Sequence, residues 1–214
     1  PAQFIPLPED IGLIEQFGRW ALEVACRDAC RWRDEGHPMQ VSVNLSARQL
    51  NRPQLAAEVA QVLADARLDP ALLELEITES GVMHNPNRAA ALLQELRQLG
   101  VSLAIDDFGT GYSSLSYLQR FPLSVLKIDR SFIMDLPGDD DAASLTAGII
   151  GLAHRLRMKV VAEGVETVEQ LAFLRSNGCD EIQGYYLSKP IAAEEISRFL
   201  AVDLRNLMGP TVAA

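Results

Sequence analysis

The sequence has few cysteines, few aromatic residues and no apolar run long enough to cross a bilayer. Its 214 residues contain 3 cysteines and 6% aromatic residues. So few cysteines cannot build a disulfide framework, and we expect free thiols in a reducing compartment. The apolar stretches fall well short of the roughly 20 residues that a membrane helix needs, and no secretory signal is visible. The composition therefore predicts a soluble, cytoplasmic domain.

Positive charge is also scarce. The chain carries 19 Lys and Arg against 29 Asp and Glu, for a formal net charge of −10. Because non-specific binding to nucleic acids depends on clustered Lys and Arg, the sequence argues against DNA or RNA as a partner. An anionic substrate would need bound cations to mask the surrounding carboxylates. The 48% of hydrophobic residues is enough for the core of one domain over residues 1–214.

Short apolar runs that each end in a polar or charged residue recur along the chain. Roughly twenty to thirty-five residues, usually with a helical pattern, separate successive endings, which is typical of the strand–helix units of a (β/α)8 barrel. Such barrels carry their chemistry at the carboxyl ends of the strands, so the endings predict an active site there. The runs are V-S-V-Asn44, L-E-L-Glu76, L-A-I-Asp106-Asp107, L-Lys127-I-Asp129, V-V-A-Glu163 and E-I-Gln183.

Hydrophobic periodicity and helix-ending residues predict an alternating order of elements. Only six strands are visible, whereas eight close such a barrel, so we expect the first two strands to be missing from this chain. An open, doubly wound sheet is the alternative architecture. The predicted strands are 40–45, 72–78, 101–106, 124–128, 158–162 and 180–183, and the predicted helices are 11–34, 54–66, 88–99, 142–156, 167–176 and 192–206.

The acids at the strand ends predict a metal site. Alternation along a strand places Glu74, Glu76 and Thr78 on one face. A ring of acids at one barrel mouth would repel itself unless cations were bound, and oxygen donors suit Mg²⁺ or Mn²⁺. For Glu74 and Asp180 we instead predict structural carboxylates paired with Arg or Lys at the rim.

Two metal ions about 3.5–4 Å apart can activate a water and stabilise a leaving oxygen, so phosphodiester hydrolysis is the predicted reaction. Lys127 would orient the water or neutralise charge in the transition state, with a purely salt-bridged barrel lysine as the alternative. The loop 108–114 is interpreted as a mobile lid whose Ser and Thr hydroxyls offer hydrogen bonds to Glu79.

With these residues identified, the chain resembles the EAL domain family, bacterial phosphodiesterases that cleave cyclic di-GMP to linear pGpG. The resemblance extends from Phe4 to Pro190, and its motifs are specific in combination. The matching segments are F-I-P-L-P-E-D-I-G-L-I, V-N-L-S, L-E-L-E-I-T-E-S, A-I-D-D-F-G-T-G-Y-S-S-L, L-K-I-D-R-S-F, V-V-A-E-G-V-E-T and G-C-D-E-I-Q-G-Y.

The resemblance implies a role for each strand-end residue. Four would be metal ligands, with Asp106 shared between two ions: Asn44, Glu76, Asp106 and Asp107. Glu163 would act on the second metal and its water, Lys127 would orient that water, and Asp129 would support the group. Gln183 would help to hold the site or the substrate. Glu79 would anchor the Asp-Asp-Phe-Gly loop, which in this family lies near a dimer contact.

One departure from the family pattern concerns the triplet that names it. Glu-Ala-Leu does not occur in these residues. In the family it lies on an early strand upstream of the F-I-P segment, and its Glu is a metal ligand. We therefore expect an N-terminally incomplete EAL domain, unstable or inactive as the isolated chain, whose catalysis depends on the upstream Glu. The resemblance also implies a homodimer and linkage to upstream sensory or GGDEF-type domains, through which the full-length protein could be anchored to a membrane.

Two alternatives to an enzyme remain open at this stage. One is a receptor that binds cyclic di-GMP without cleaving it, and the other is a structural domain that regulates a linked cyclase. Degenerate receptors of this family usually lose metal ligands, whereas the acids and Lys127 are present here. The retained residues favour catalysis.

Overall fold

The structure, a computed structural model, describes residues 14–110 and 115–200. Strands and helices alternate throughout this part of the chain. The strands are β1 (Val41–Leu45), β2 (Leu73–Thr78), β3 (Ser102–Phe108), β4 (Val125–Ile128), β5 (Lys159–Glu163) and β6 (Glu181–Gln183). The helices are α1 (Ile14–Asp34), α2 (Ala47–Leu50), α3 (Leu55–Ala66), α4 (Glu79–Met83), α5 (Pro86–Gln98), α6 (Leu115–Leu118), α7 (Asp140–Arg155), α8 (Val168–Ser176) and α9 (Ile196–Leu200).

The six described strands form one parallel sheet in the order β1-β2-β3-β4-β5-β6. A doubly wound sheet reverses its strand order at a switch point, and this sheet does not, so that alternative is wrong. The sheet curls into a half-barrel, which confirms the predicted barrel-like class. Register places Asn44 opposite Glu76 and Glu163 opposite Gln183, so the polar strand ends face one edge.

The two faces of the sheet have different compositions. Leu73, Leu75 and Ile77 of β2 are fully buried in the apolar core. Glu74 and Glu76 alternate with them and are also buried, on the other face. Both faces of a parallel sheet are covered, so the carboxylates are held inside the fold instead of in bulk water.

Side-chain caps mark where the outer helices begin. The side chain of Asn85 accepts the backbone N–H of Arg88 ahead of α5, and that of Asp139 accepts the N–H of Ala142 ahead of α7. These helices therefore begin two residues before the predicted positions. The last helix was predicted over 192–206. In the structure a 3-10 turn at Ala193–Glu195 precedes α9, and residues 201–214, which include the end of the predicted helix, lie outside the described ranges.

Glu74 differs from the prediction in its partners. Its side chain accepts hydrogen bonds from Ser42 (3.1 Å) and Ser102 (3.0 Å), and Ser102 in turn lies 2.8 Å from the hydroxyl of Ser124. The predicted Arg or Lys partner is wrong, because Glu74 is 5% exposed on the inner face and not on the rim. Burial raises the pKa of this carboxyl, although the two serine hydrogen bonds oppose the shift.

Asp180 has the predicted structural role, but its contacts are with a histidine and a backbone amide. Its Oδ2 lies 2.9 Å from Nε2 of His154, at the end of α7, and accepts the N–H of Val160 at 2.8 Å. Partial burial would raise the pKa of Asp180, but hydrogen bonds from His154 and Val160 outweigh it, so the pKa lies below its ordinary value. Asp180 therefore connects α7 and β5 to the start of β6.

This depressed pKa predicts an acid-sensitive contribution to stability. A carboxyl whose folded pKa is lowered stabilises the fold above its unfolded pKa, 3.8 here, and loses that contribution as the pH falls through the folded value. We expect Asp180→Asn to lower the free energy of unfolding by about 1 kcal/mol at pH 7, since the group is partly exposed. Urea unfolding of both proteins at pH 7 and pH 3 measures this difference in the free energy of unfolding. If the substitution lowers that free energy equally at both pH values, the ionised Asp180 carboxylate is not the stabilising group.

The cysteines agree with the expectation of free thiols. Cys26 is buried, Cys30 and Cys179 are half-buried, and all three are free thiols. Burial raises the pKa of Cys26 to about 11, which leaves it unreactive near neutral pH. No helix in the described ranges is both long enough and apolar enough to traverse a bilayer.

Candidate functional site

Lys127 lies at the centre of the polar strand ends. Its Nζ is 2.7 Å from Glu76, 2.6 Å from Glu163 and 3.4 Å from Asp106, so one ammonium contacts the carboxylates of three strands. Lys127 is 4% exposed. Burial alone would lower its pKa, but Glu76, Glu163 and Asp106 raise it above the ordinary lysine value. Lys127 is therefore a charged lysine that is both salt-bridged and inside the predicted ring.

Three carboxylates converge beside this lysine. Asp106, Asp107 and Glu163 each offer an oxygen, and these oxygens lie within 4.8 Å of one another. Burial, with Asp106 and Asp129 nearby, raises the pKa of Asp107. Burial also raises the pKa of Glu163, although Lys127 opposes the shift. Closely spaced, partly desolvated carboxylates are the hard oxygen donors that fit a divalent cation such as Mg²⁺ or Mn²⁺.

The irregular end of β3, called here the Asp106–Asp107 turn, gives the two aspartates their positions. Asp107 adopts φ +54°, a left-handed conformation that costs a non-glycine residue about 1–2 kcal/mol. The strand register shifts between Ile105 and Phe108 at the same place. Asp106 Oδ1 accepts the N–H of Asp107 at 3.1 Å. The irregular backbone thus turns two consecutive carboxylates toward one space.

Glu79 accepts a hydrogen bond from the backbone beside this turn and not from the hydroxyls expected as its donors, and its anchoring role stays a prediction. Its Oε2 accepts the backbone N–H of Gly109 at 3.0 Å. The hydroxyl of Thr110, one of the donors expected for Glu79, bonds instead to the carbonyl oxygen of Asp107, because that oxygen is within the same tight turn. Glu79 is 2% exposed. The roles of Ser113 and Ser114, and the lid, stay predictions because residues 111–114 lie outside the described ranges.

Asn44 connects the carboxylates to a cavity beside β1. Its Nδ2 donates to Glu76 at 3.2 Å, across the β1–β2 pair. A cavity of about 1030 Å³ lies between α1 and the inner face of β1 and reaches Asn44, Asp106 and Asp107. A drug-sized ligand fits a pocket of this volume. Within the described residues, the carboxylates therefore border this cavity on the β1 side.

Two predicted residues lie at the border of the group. Asp129 follows β4 and caps the next turn by accepting the N–H of Ser131 at 3.0 Å, while its charge acts on Asp107. Gln183 is exposed beside Glu163 in the β5–β6 register, and its carbonyl oxygen accepts the N–H of Val165 at 3.1 Å. The support predicted for Asp129 and the binding role predicted for Gln183 stay untested.

Sequence reasoning missed three residues that shape these loops. Arg130 and Phe132 pack against the backbone at Gly164 and Gly109, respectively. Gly184 lies so close to the backbone of Val165 that an added Cβ would overlap it. The glycines directly after β3, β5 and β6 were the available signal, since glycine in such positions often marks close approach of another chain segment.

Sequence comparisons match the chain to one protein family and to relatives named for the same activity. A family model described as the EAL domain matches residues 1–190. The cyclic di-GMP phosphodiesterase NbdA of Pseudomonas aeruginosa is 49% identical over 201 residues, which is 94% of this chain and 26% of the relative. The cyclic di-GMP phosphodiesterase PdeR of Escherichia coli is 39% identical over 199 residues, 93% of this chain and 30% of the relative. The chain thus spans less than a third of these relatives.

Solved structures agree with the sequence matches. The MucR phosphodiesterase in complex with c-di-GMP superposes with a TM-score of 0.88 at 46% identity, over 92% of this chain and 80% of that one. The EAL domain of Mycobacterium smegmatis DcpA gives a TM-score of 0.83 at 38% identity, over 88% and 86% of the two chains. The half-barrel is therefore shared with enzymes of known architecture.

Proposed function

Since this chain belongs to the EAL domain family, we propose that it is the metal-binding part of a cyclic di-GMP phosphodiesterase that yields linear pGpG. The convergence of Asp106, Asp107 and Glu163 beside Lys127 carries the proposal, because it combines a cation site with a buried positive charge. The names of the relatives supply the substrate class.

In the proposed reaction, the oxygen of a water forms a bond to phosphorus, and the bond from phosphorus to a ribose 3′ oxygen breaks. The proton lost by the water balances the proton gained by the leaving oxygen. Two bound Mg²⁺ or Mn²⁺ ions would supply Lewis-acid activation of the water and the phosphate. The residues that would hold these ions are Asn44, Glu76, Asp106, Asp107 and Glu163.

The chain's own side chains would then divide the remaining work. The ammonium of Lys127 lies 2.7 Å from Glu76, 2.6 Å from Glu163 and 3.4 Å from Asp106. We assign to this ammonium the orientation of the attacking water and the neutralisation of charge that builds on the phosphate. Asp129 and Gln183 border the group, and Glu79 keeps the Asp106–Asp107 turn in place.

The proposal extends to the setting of the whole protein. The relatives are about three to four times longer than the matched segment, which supports linkage to further domains of sensory or GGDEF type. We also propose a homodimer and a cytoplasmic position for this domain. The net charge of −10 supports a small anionic ligand with bound cations over DNA or RNA.

Replacing one cluster carboxylate tests the proposal in the intact protein. We expect Glu163→Gln to lower kcat for cyclic di-GMP by about 10²–10³-fold, because it removes a charge from the cation site without changing side-chain size. Turnover is followed by chromatography of pGpG, and binding of cyclic di-GMP is measured in parallel by calorimetry. Glu169→Gln, an exposed change on α8, is the matched control and should leave turnover unchanged.

The alternatives give different results. A receptor would bind cyclic di-GMP tightly in the wild type without forming pGpG at any Mg²⁺ or Mn²⁺ concentration. A domain that only regulates a linked cyclase would bind no cyclic di-GMP. Full turnover in Glu163→Gln would refute the role assigned to this carboxylate.

A further inference from the structure

The convergence of the three carboxylates requires the ends of two strands to bring their side chains together across an intervening strand. Strand β4 lies between β3, which carries Asp106 and Asp107, and β5, which carries Glu163. Neighbouring strands are about 4.8 Å apart, so these backbones stand nearly 10 Å apart. Nevertheless, oxygens of the three carboxylates lie within 4.8 Å of one another. The turn that follows β4 is in position to control this spacing.

On the β3 side, the ring of Phe132 covers the backbone of Gly109. A Cβ placed on Gly109 would lie 2.6 Å from Cζ of Phe132, so the ring occupies the space that a side chain would take. Gly109 has φ +99°, and its N–H is bonded to Glu79. The ring and the Glu79 carboxylate therefore restrain the same residue of the aspartate turn from two directions.

On the β5 side, the aliphatic part of Arg130 covers Gly164, the residue after Glu163. A Cβ on Gly164 would lie 2.8 Å from both Cβ and Cδ of Arg130. The guanidinium of Arg130 then reaches Glu166 at 2.9 Å. Arg130 therefore packs across the first residues of this loop, and its ion pair with Glu166 holds the end of the side chain.

The turn that carries Phe132 and Arg130 is itself fixed to the outer helices. The fully buried hydroxyl of Thr146, in α7, donates to the carbonyl oxygen of Phe132 at 3.1 Å. The buried side chain of Gln170, in α8, donates to the carbonyl oxygen of Ile133 at 3.0 Å. Movement of the turn away from the two loops would break these buried hydrogen bonds.

We propose that Arg130 and Phe132 act as a brace, two positioning residues that set the distance between the Asp106–Asp107 turn and Glu163. A single three-residue turn, 130–132, contacts both neighbouring loops, at Gly164 directly after Glu163 and at Gly109 two residues after Asp107. The proposal rests on the proposed function only where it concerns metal binding and turnover. Its geometric part concerns the loops alone.

Amide hydrogen exchange tests the geometric part in the intact protein. We expect Phe132→Ala to accelerate exchange of the Gly109 N–H about tenfold, because the Glu79 bond then opens without the covering ring. Phe173→Ala replaces another half-buried phenylalanine that packs on the core from α8, and it should leave the Gly109 amide unchanged. If Phe132→Ala does not fold, Phe132→Leu, which keeps apolar bulk without the ring, decides the question.

Manganese binding without substrate tests the consequence for the site. Residues that orient ligands change metal affinity by roughly 10–100-fold when they are replaced, and we expect about tenfold weaker Mn²⁺ binding in Phe132→Ala and in Arg130→Ala. Arg130→Lys keeps the aliphatic part over Gly164 and should retain most of the affinity. In turnover assays, the Mn²⁺ concentration for half-maximal rate should rise, while kcat at saturating Mn²⁺ recovers.

If the Gly109 amide exchanges at the wild-type rate in the Phe132 variants, the brace is refuted. It is also refuted if Phe173→Ala accelerates this exchange equally, because the change would then reflect a general loss of stability. Unchanged Mn²⁺ affinity in both alanine variants would overturn its role at the site. If the wild-type protein forms no pGpG, the proposed function fails, whereas the exchange comparison still decides the brace.

Discussion

Lys127→Met in the intact protein is expected to remove hydrolysis of cyclic di-GMP and to destabilise the fold when divalent cations are absent. The substitution keeps an apolar stem of similar length but removes the ammonium that contacts Glu76, Glu163 and Asp106. Removing one partner of a buried ion pair costs about 3–5 kcal/mol, because the remaining charge is left uncompensated. A lost donor to the developing charge lowers kcat by about 10²–10³-fold.

The two effects separate when metal is varied. In chelator, Lys127→Met should lower Tm by a large amount. In Mg²⁺ the loss of Tm should be smaller, because the bound cations neutralise the same carboxylates. Lys159→Met is the matched control, since Lys159 forms an exposed pair with Glu181, and it should change neither quantity appreciably. A Lys127→Met protein with wild-type Tm in chelator would show that this lysine does not neutralise the cluster.

Gly184→Ala is expected to cause the second large loss, although it adds only one methyl group. The β5 and β6 ends are joined by hydrogen bonds from the Val165 N–H to Gln183 and from the Tyr186 N–H to Val165. The new Cβ would overlap the Val165 backbone, which, unlike a side chain, cannot rotate away. Overpacking of this kind costs about 1–3 kcal/mol and more where the backbone must shift. The shift would also displace Glu163, so turnover should fall with stability.

A second glycine serves as the control that separates steric overlap at Gly184 from the general effect of replacing glycine by alanine. Gly148 lies in α7, and a Cβ there would meet no atom within 4 Å. Gly148→Ala should therefore stabilise the protein by up to about 1 kcal/mol through helix propensity. Urea unfolding should show a lower free energy of unfolding for Gly184→Ala and a higher one for Gly148→Ala than for the wild type. Similar stability of Gly184→Ala and the wild type would mean that the β5–β6 loops separate easily.

Local patterns in the sequence predicted the parts of the molecule that depend on local rules. The apolar runs identified the strands, and the polar residues at or near their ends identified Asp106, Asp107, Lys127 and Glu163 as neighbours, because parallel strands end at one edge. The left-handed Asp107 and the extension of β3 to Phe108 were not predictable in this way. They depend on contacts with residues distant in the chain.

Glu74 shows the same limit for side chains. Alternation correctly placed it on the face of Glu76, but charge pairing was the wrong expectation for its partners. Ser42 and Ser102 lie 32 and 28 residues away along the chain. Only the register of three strands brings these hydroxyls to the carboxylate. Brace residues Arg130 and Phe132 were missed for a similar reason, since each contacts a glycine of a different strand end.

The strictly sequential order of the sheet has a consequence for how the chain matures. Each described strand pairs only with the strands before and after it in sequence. Paired residues lie 20 to 34 positions apart in sequence, and chains begin to fold while they are being synthesised. Each strand–helix unit that leaves the ribosome can therefore dock on the previous one without waiting for distant segments. The carboxylates of β2 and β3 would already be adjacent before Lys127 emerges, and Glu163 of β5 would join them only after the lysine is in place.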